Sequence, residues 1–110
     1  MSRGSFEVLW SEVAIRDLEQ IVDFIAEEAP MAAERVFEQI AERARTLASL
    51  PWRGRVVPEL ARFETTTIRE LVVPPYRLVY QIRGNSVLVT GVFDGRRSLE
   101  EVLLARLHRS

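Results

Sequence analysis

The chain has no cysteine and a single histidine among its 110 residues, and its 15 basic residues are all arginine. Without cysteine, disulfides and thiolate metal sites are excluded. Without lysine there is no lysine general base, no Schiff base and no P-loop lysine. No apolar run approaches the ~18 residues that a membrane span needs. The opening Met-Ser-Arg-Gly-Ser lacks the apolar stretch of a secretory signal. A reducing cytoplasm is therefore the expected location, with no membrane partner, no cofactor and no metal. The arginine bias itself follows as readily from genome composition as from function.

What is present describes one small domain spanning residues 1–110, with a single core. Apolar residues make up 47% and charged residues 28%, an ordinary soluble balance. The net charge of −1 argues against a strongly basic nucleic-acid binder. That average hides a split. Residues 1–50 hold 5 arginines against 10 acids, and residues 51–110 hold 10 against 6. An acidic first half would oppose nonspecific phosphate binding by the second.

Phe6 to Trp10 alternate as a short strand. Ser11 has the chemistry of an N-cap. Ala14, Leu18, Ile21, Val22 and Ile25 then recur at helical spacing, ending by Ala29 because Pro30 disfavours helix in the residue before it. Pro30 suits the first turn of a second helix, whose stripe is Ala33, Val36, Phe37, Ile40, Ala44 and Leu47. A connection this short predicts an antiparallel helical hairpin. Residues 52–63 read as an irregular loop. Thr66 to Val73, Tyr76 to Arg83 and Ser86 to Phe93 read as three strands, the last two joined by the turn dipeptide Gly84-Asn85. Ser98 and Glu101 match a capping box, which predicts a last helix from Leu99 to about Leu107. Its Leu103 and Leu107 would dock on the sheet or on a partner. The order β-α-α-β-β-β-α predicts an α+β domain, with the N-terminal hairpin packed on one face of a small, antiparallel-rich sheet. The other face would be only partly covered.

Arginine recurs at 69, 77, 83, 96 and 97 along this meander. Strand parity sets Tyr76, Leu78, Tyr80 and Ile82 toward the helices, and Arg77, Val79, Gln81 and Arg83 on the less covered face. Arg96 and Arg97 follow the last strand and are expected in one patch with Arg77. A planar guanidinium fork suits phosphate or carboxylate. The bland alternative is that these arginines pair with internal acids such as Glu59, Glu70 or Asp94.

At these residues the chain resembles the RelE/ParE superfamily of toxins from type II toxin–antitoxin systems. The resemblance runs along almost the whole chain. It includes the W-S-x-x-A-x-x-D-L segment of the first helix and the L-P-W-R-G-R-V-V-P-E-L loop. It continues through I-R-E-L and Y-R-L-V-Y to the closing V-F-D-G-R-R. It implies a small sheet with a helical hairpin, and a toxin neutralised by a cognate antitoxin, ParD-like or related. DNA would be met only indirectly, through that antitoxin. Arg69, Arg77, Arg83, Arg96, Arg97, Leu103 and Leu107 are the expected contacts to antitoxin or target.

The superfamily divides by target. RelE-like members cut messenger RNA on the ribosome, and ParE-like members poison DNA gyrase. Arg77 matches the phosphate-binding arginine of the nucleases. Asp94, however, stands where a histidine is often seen, the C-terminal tyrosine or lysine is missing, and His108 lies in the tail as a solvated terminal residue. Metal-independent RNA cleavage needs a base, an acid and cations together. The remaining catalytic candidates for a nuclease are Glu59 as base, with Arg77, Arg96 and Arg97 as cations. That thin set favours the ParE-like branch, a gyrase or topoisomerase inhibitor. The alternatives are a ribosome-dependent mRNA endonuclease and a non-toxic family member.

Overall fold

In the computed structural model, residues 5–63, 65–102 and 104 are described. The chain runs through β1 (Glu7–Trp10), α1 (Glu12–Ala26) and α2 (Pro30–Arg45), then a 3-10 turn over Thr46–Ala48. It continues through β2 (Arg55–Val56), a 3-10 segment over Pro58–Phe63, β3 (Ile68–Val73), β4 (Tyr76–Arg83) and β5 (Ser86–Asp94). Residues 99–102 are helical. The sheet has five strands in the order β1-β5-β4-β3-β2. Only β1–β5 is parallel, and the other pairs are antiparallel. The α+β arrangement expected above is present. No helix among the described residues is long and apolar enough to cross a membrane.

The helix starts follow local chemistry. Ser11 Oγ accepts the Ala14 N–H at 3.0 Å and caps α1. Pro30 opens α2 at a position whose N–H would have no intrahelical partner. Ser98 Oγ accepts the Glu101 N–H at 3.1 Å, half of the expected capping box. The expected Leu103 and Leu107 contacts lie outside the described residues.

The helices bury Ala14, Leu18, Ile40 and Ala44 against Leu71, Leu78, Tyr80, Ile82, Val87 and Val89 of the sheet. This is the core face that β4 parity predicts. Phe37, expected in the α2 stripe, stays half exposed at the rim of a groove between the helices. A second, smaller core covers one end of the opposite sheet face. It joins Val57, Val79, Phe93 and Val102, with Leu60, Ile68 and Leu99 against them. Leu9 and Val72 on the same face remain partly exposed, so that face is only partly covered.

Two features depart from the reading of the sequence. The loop of residues 52–63 contains β2, which pairs Arg55 with Glu70 and Val56 with Arg69. Two residues between Gly54 and Pro58 carry no periodicity, so no pattern marks them as a strand. The other departure is a β-bulge. Val79 pairs with Gly91 while Tyr80 pairs with Val89, leaving Thr90 as the extra residue of β5. The bulge shifts side-chain parity by one. Val87 and Val89 face the helices, then Val92 does, and Phe93 turns to the opposite face. Asp17 of α1 takes the Val92 N–H at 3.0 Å just past the bulge.

Tyr80 anchors the loop before β2. Its O–H donates to the Pro51 carbonyl at 2.8 Å and accepts the Gly54 N–H at 3.0 Å. A Cβ on Gly54 would lie 2.5 Å from that hydroxyl and 2.6 Å from the Glu70 carbonyl, so no side chain fits there. Removing the hydroxyl by Tyr80→Phe strands a buried donor and acceptor, and we expect a loss of about 1–3 kcal/mol. Urea denaturation measures it, and an unchanged midpoint would mean that the loop is not anchored this way.

Candidate functional site

Arg77 sits on β4 one position from the hairpin, and its partner across β3 is Val72. Diagonal to it on the same face is Glu70. Arg77 is 7% exposed and Glu70 is 1% exposed, so the two charges lie out of water. Charges this buried require partners, and both have them. Arg77 Nε donates to Glu70 Oε1 at 2.7 Å. Its two terminal nitrogens grip both oxygens of Glu59, at 2.9 and 2.7 Å, in a bidentate fork. The second oxygen of Glu70 takes Arg55 Nε at 2.6 Å. Glu59 Oε2 also accepts the Leu99 N–H at 2.9 Å, at the start of the last helical stretch. The bulge completes the site from below by placing the Phe93 ring 4.9 Å from the guanidinium carbon.

Gly95 lets the chain pass close by. Its N–H donates to the Pro75 carbonyl at 2.6 Å, beside the cis Pro74–Pro75 peptide. A Cβ there would meet that carbonyl at 2.8 Å and Arg77 Cγ at 3.2 Å.

The electrostatics follow from these contacts. Hydrogen bonding to Arg77 pulls the Glu59 carboxyl down to about 2, outweighing the opposing effect of burial. Arg77 is held even more firmly protonated than a free guanidinium, by Glu59 first and Glu70 second. Asp94 is likewise pulled to about 2 by hydrogen bonds from Arg96, whose guanidinium and backbone N–H both reach it.

The arginines singled out from the sequence differ in their surroundings. Arg77 is buried on the face covered by the 3-10 segment, with its donors committed to two carboxylates. Arg96 and Arg97 line an open cleft of about 470 Å³ toward α1, shared with Asp17, Phe24, Tyr76, Asp94 and Phe93, the ring that stacks on Arg77. Arg69 pairs with Tyr80 and lies on the helix side of the sheet. Arg83 is exposed at the far end of β4, donating to Gln81 at 2.9 Å. Parity and distance set Arg69 and Arg83 apart from Arg77: alternate residues point to opposite faces, and Arg83 is six residues beyond Arg77 along the same strand.

Sequence reasoning missed Trp52 and Arg53. Trp52 is half exposed, and its ring is stacked 5.0 Å from the Arg69 guanidinium carbon. The Pro-Trp-Arg-Gly-Arg string marked the loop but not the stack. It also missed the groove of about 520 Å³ between α1 and α2, lined by Trp10, Ile15, Leu18, Val22, Phe37 and Ala41. Among the described residues, no three metal-ligating side chains converge.

A profile of the family described as "ParE toxin of type II toxin-antitoxin system, parDE" matches residues 8–99. Toxin RelE2 of Caulobacter vibrioides is 36% identical over 92 residues, covering 83% of this chain and 97% of that protein. Toxin RelE1 of the same organism is 32% identical over 95 residues, covering 83% and 95%. The fold is similar to that of a chain from the chromosomal ParDE system of P. aeruginosa, with a TM-score of 0.69 at 19% identity, covering 83% of this chain and 97% of that one. It is also similar to a chain of the RelBE2 toxin–antitoxin complex of Mycobacterium tuberculosis, with a TM-score of 0.59 at 22% identity, covering 84% and 94%.

Two outcomes test the site. Arg77→Met leaves Glu70 buried with one cation fewer, and we expect a loss of about 3–5 kcal/mol in chemical denaturation. Glu59 lies below its ordinary 4.5, at about 2, so its contribution is full above pH 4.5 and fades as pH falls toward 2. Glu59→Gln should therefore flatten the acid limb of the stability–pH profile in that window. An unaltered limb would mean that the Arg77–Glu59 fork does not form in solution.

Proposed function

This chain belongs to the ParE toxin family of type II toxin–antitoxin systems, and from that premise we propose that it acts on a protein. The proposed target is DNA gyrase or a related type II topoisomerase, which places its action in the cytoplasm. The observation that carries this reading is the double carboxylate cage on Arg77. A phosphate would have to displace both Glu59 and Glu70 to reach that guanidinium. A carboxylate held at about 2 is also a poor proton acceptor at neutral pH, so Glu59 makes a weak general base. Asp94, held equally low by Arg96, is no better.

The second reading is a ribosome-dependent mRNA endonuclease using Arg77 with Arg96 or Arg97. It is favoured by the name RelE carried by two relatives that align over most of their length. Release of Glu59 would have to free Arg77 first.

Neutralisation by a cognate antitoxin belongs to the same reading. The apolar groove between α1 and α2 has the shape and chemistry for the apolar face of a partner helix. Both solved neighbours come from toxin–antitoxin systems.

Purified toxin incubated with gyrase and plasmid should give lost supercoiling or stalled cleavage complexes. No effect at micromolar toxin, together with codon-spaced cuts in primer extension on a translated message, would replace this reading with the nuclease one. Growth that continues normally on induction without antitoxin would point to a non-toxic member. Val22→Asp places a charge in the groove and should abolish rescue by co-expressed antitoxin while growth arrest persists. Intact rescue would move the antitoxin elsewhere.

A further inference from the structure

The loop between the first 3-10 turn and β2 carries chemistry that the cage and the groove leave unused. Trp52 is 50% exposed, a large apolar area to leave in water. Its surroundings are nonetheless tied by several contacts. Tyr80 ties down its neighbours Pro51 and Gly54. Arg69 donates to the carbonyls of Trp52 at 3.3 Å, Gly54 at 2.9 Å and Thr66 at 2.9 Å, and stacks its guanidinium on the indole. Arg53 is pinned beside it by donating to Thr46 Oγ1 at 3.0 Å.

Among the described residues, the acceptors of Arg53 and Arg69 are neutral, a hydroxyl and backbone carbonyls. Those of Arg45, Arg55, Arg77 and Arg96 include carboxylates. Two guanidinium groups therefore keep their charge uncompensated by these contacts, next to a stacked indole. Tryptophan and arginine dominate interface energetics, and a surface already ordered loses little entropy on binding. Guanidinium groups pair with carboxylates in a directional way that an apolar groove cannot offer.

We propose that Trp52, Arg53 and Arg69 form a preformed docking surface for a carboxylate-bearing region of the toxin's protein target. This rests on the reading that the target is a protein. The groove between the helices suits a chain that folds onto the toxin and gains from apolar burial. A rigid cationic patch suits an acidic surface that is already folded, because fixed complementary charge steers encounter and sets register.

The test uses the full chain with Trp52→Ala and Arg53→Glu, both at exposed positions, each checked for an unchanged thermal midpoint. Binding to purified DNA gyrase is followed by biolayer interferometry at low and high salt, with co-purification of the cognate antitoxin in parallel. Each variant should lose about 10-fold or more in gyrase affinity, with Arg53→Glu also weakening the salt dependence, while antitoxin co-purification is retained. Unchanged gyrase affinity, or a loss confined to antitoxin, overturns the proposal. So does wild-type binding to a short DNA duplex that the variants lose, since the patch would then read phosphate. If the wild-type protein binds no gyrase, the choice of target has failed, and growth decides the patch. Normal growth with normal accumulation of both variants keeps it as the toxic surface toward another protein. Continued arrest removes it.

Discussion

The Arg77 guanidinium is the interaction on which the second half of this protein depends. It binds Glu70 of β3, Glu59 of the 3-10 segment and, through Glu59, the first amide of the last helical stretch. Four pieces of chain, two of them the strands of one hairpin, are thus fastened at one charged centre. Two carboxylates face two guanidinium groups, Arg55 being the second, so the charges cancel locally. Neutrality is what allows Glu70 to sit at 1% exposure. The apolar cluster around Val79 and Phe93 is small, and the segment over Pro58–Phe63 is joined to the sheet both by Leu60 within that cluster and by the Glu59–Arg77 pair.

The bulge at Thr90 serves the same centre. If β5 alternated regularly through Thr90, with no bulge, Phe93 would point toward the helices and Val92 away from them. With the bulge, the helix-side core keeps Val92, and Arg77 gains an aromatic floor. A one-residue irregularity therefore serves both faces of the sheet. Asp17 reaches across from α1 to the Val92 amide at that point, so the helix layer and the bulge are fixed relative to one another.

The caged arginine is held by the chain's own carboxylates. The Y-R-L-V-Y strand places a cation where a phosphate-binding group would be expected, but this chain surrounds it with its own acids. What stays on the surface is different in kind: an apolar groove between helices, a cleft edged by Arg96 and Arg97, and a stacked Trp52–Arg69 pair.

The sequence by itself determined the helical hairpin, the three-strand meander, the caps at Ser11 and Ser98, and the family. These rest on local rules, namely periodicity, turn dipeptides and side-chain caps within a few residues. It also identified Glu59, Glu70 and Asp94 as possible partners for the arginines, without deciding among open clamp and closed pair. Only the tertiary structure decided that. Arg77 meets Glu59 from 18 residues away, Glu59 meets Leu99 from 40 away, and Trp52 meets Arg69 from 17 away. Contacts at such separations are set by strand register, by a two-residue strand with no pattern and by a single bulge. Those are properties of how the whole chain closes on itself, and no local stretch of residues encodes them visibly.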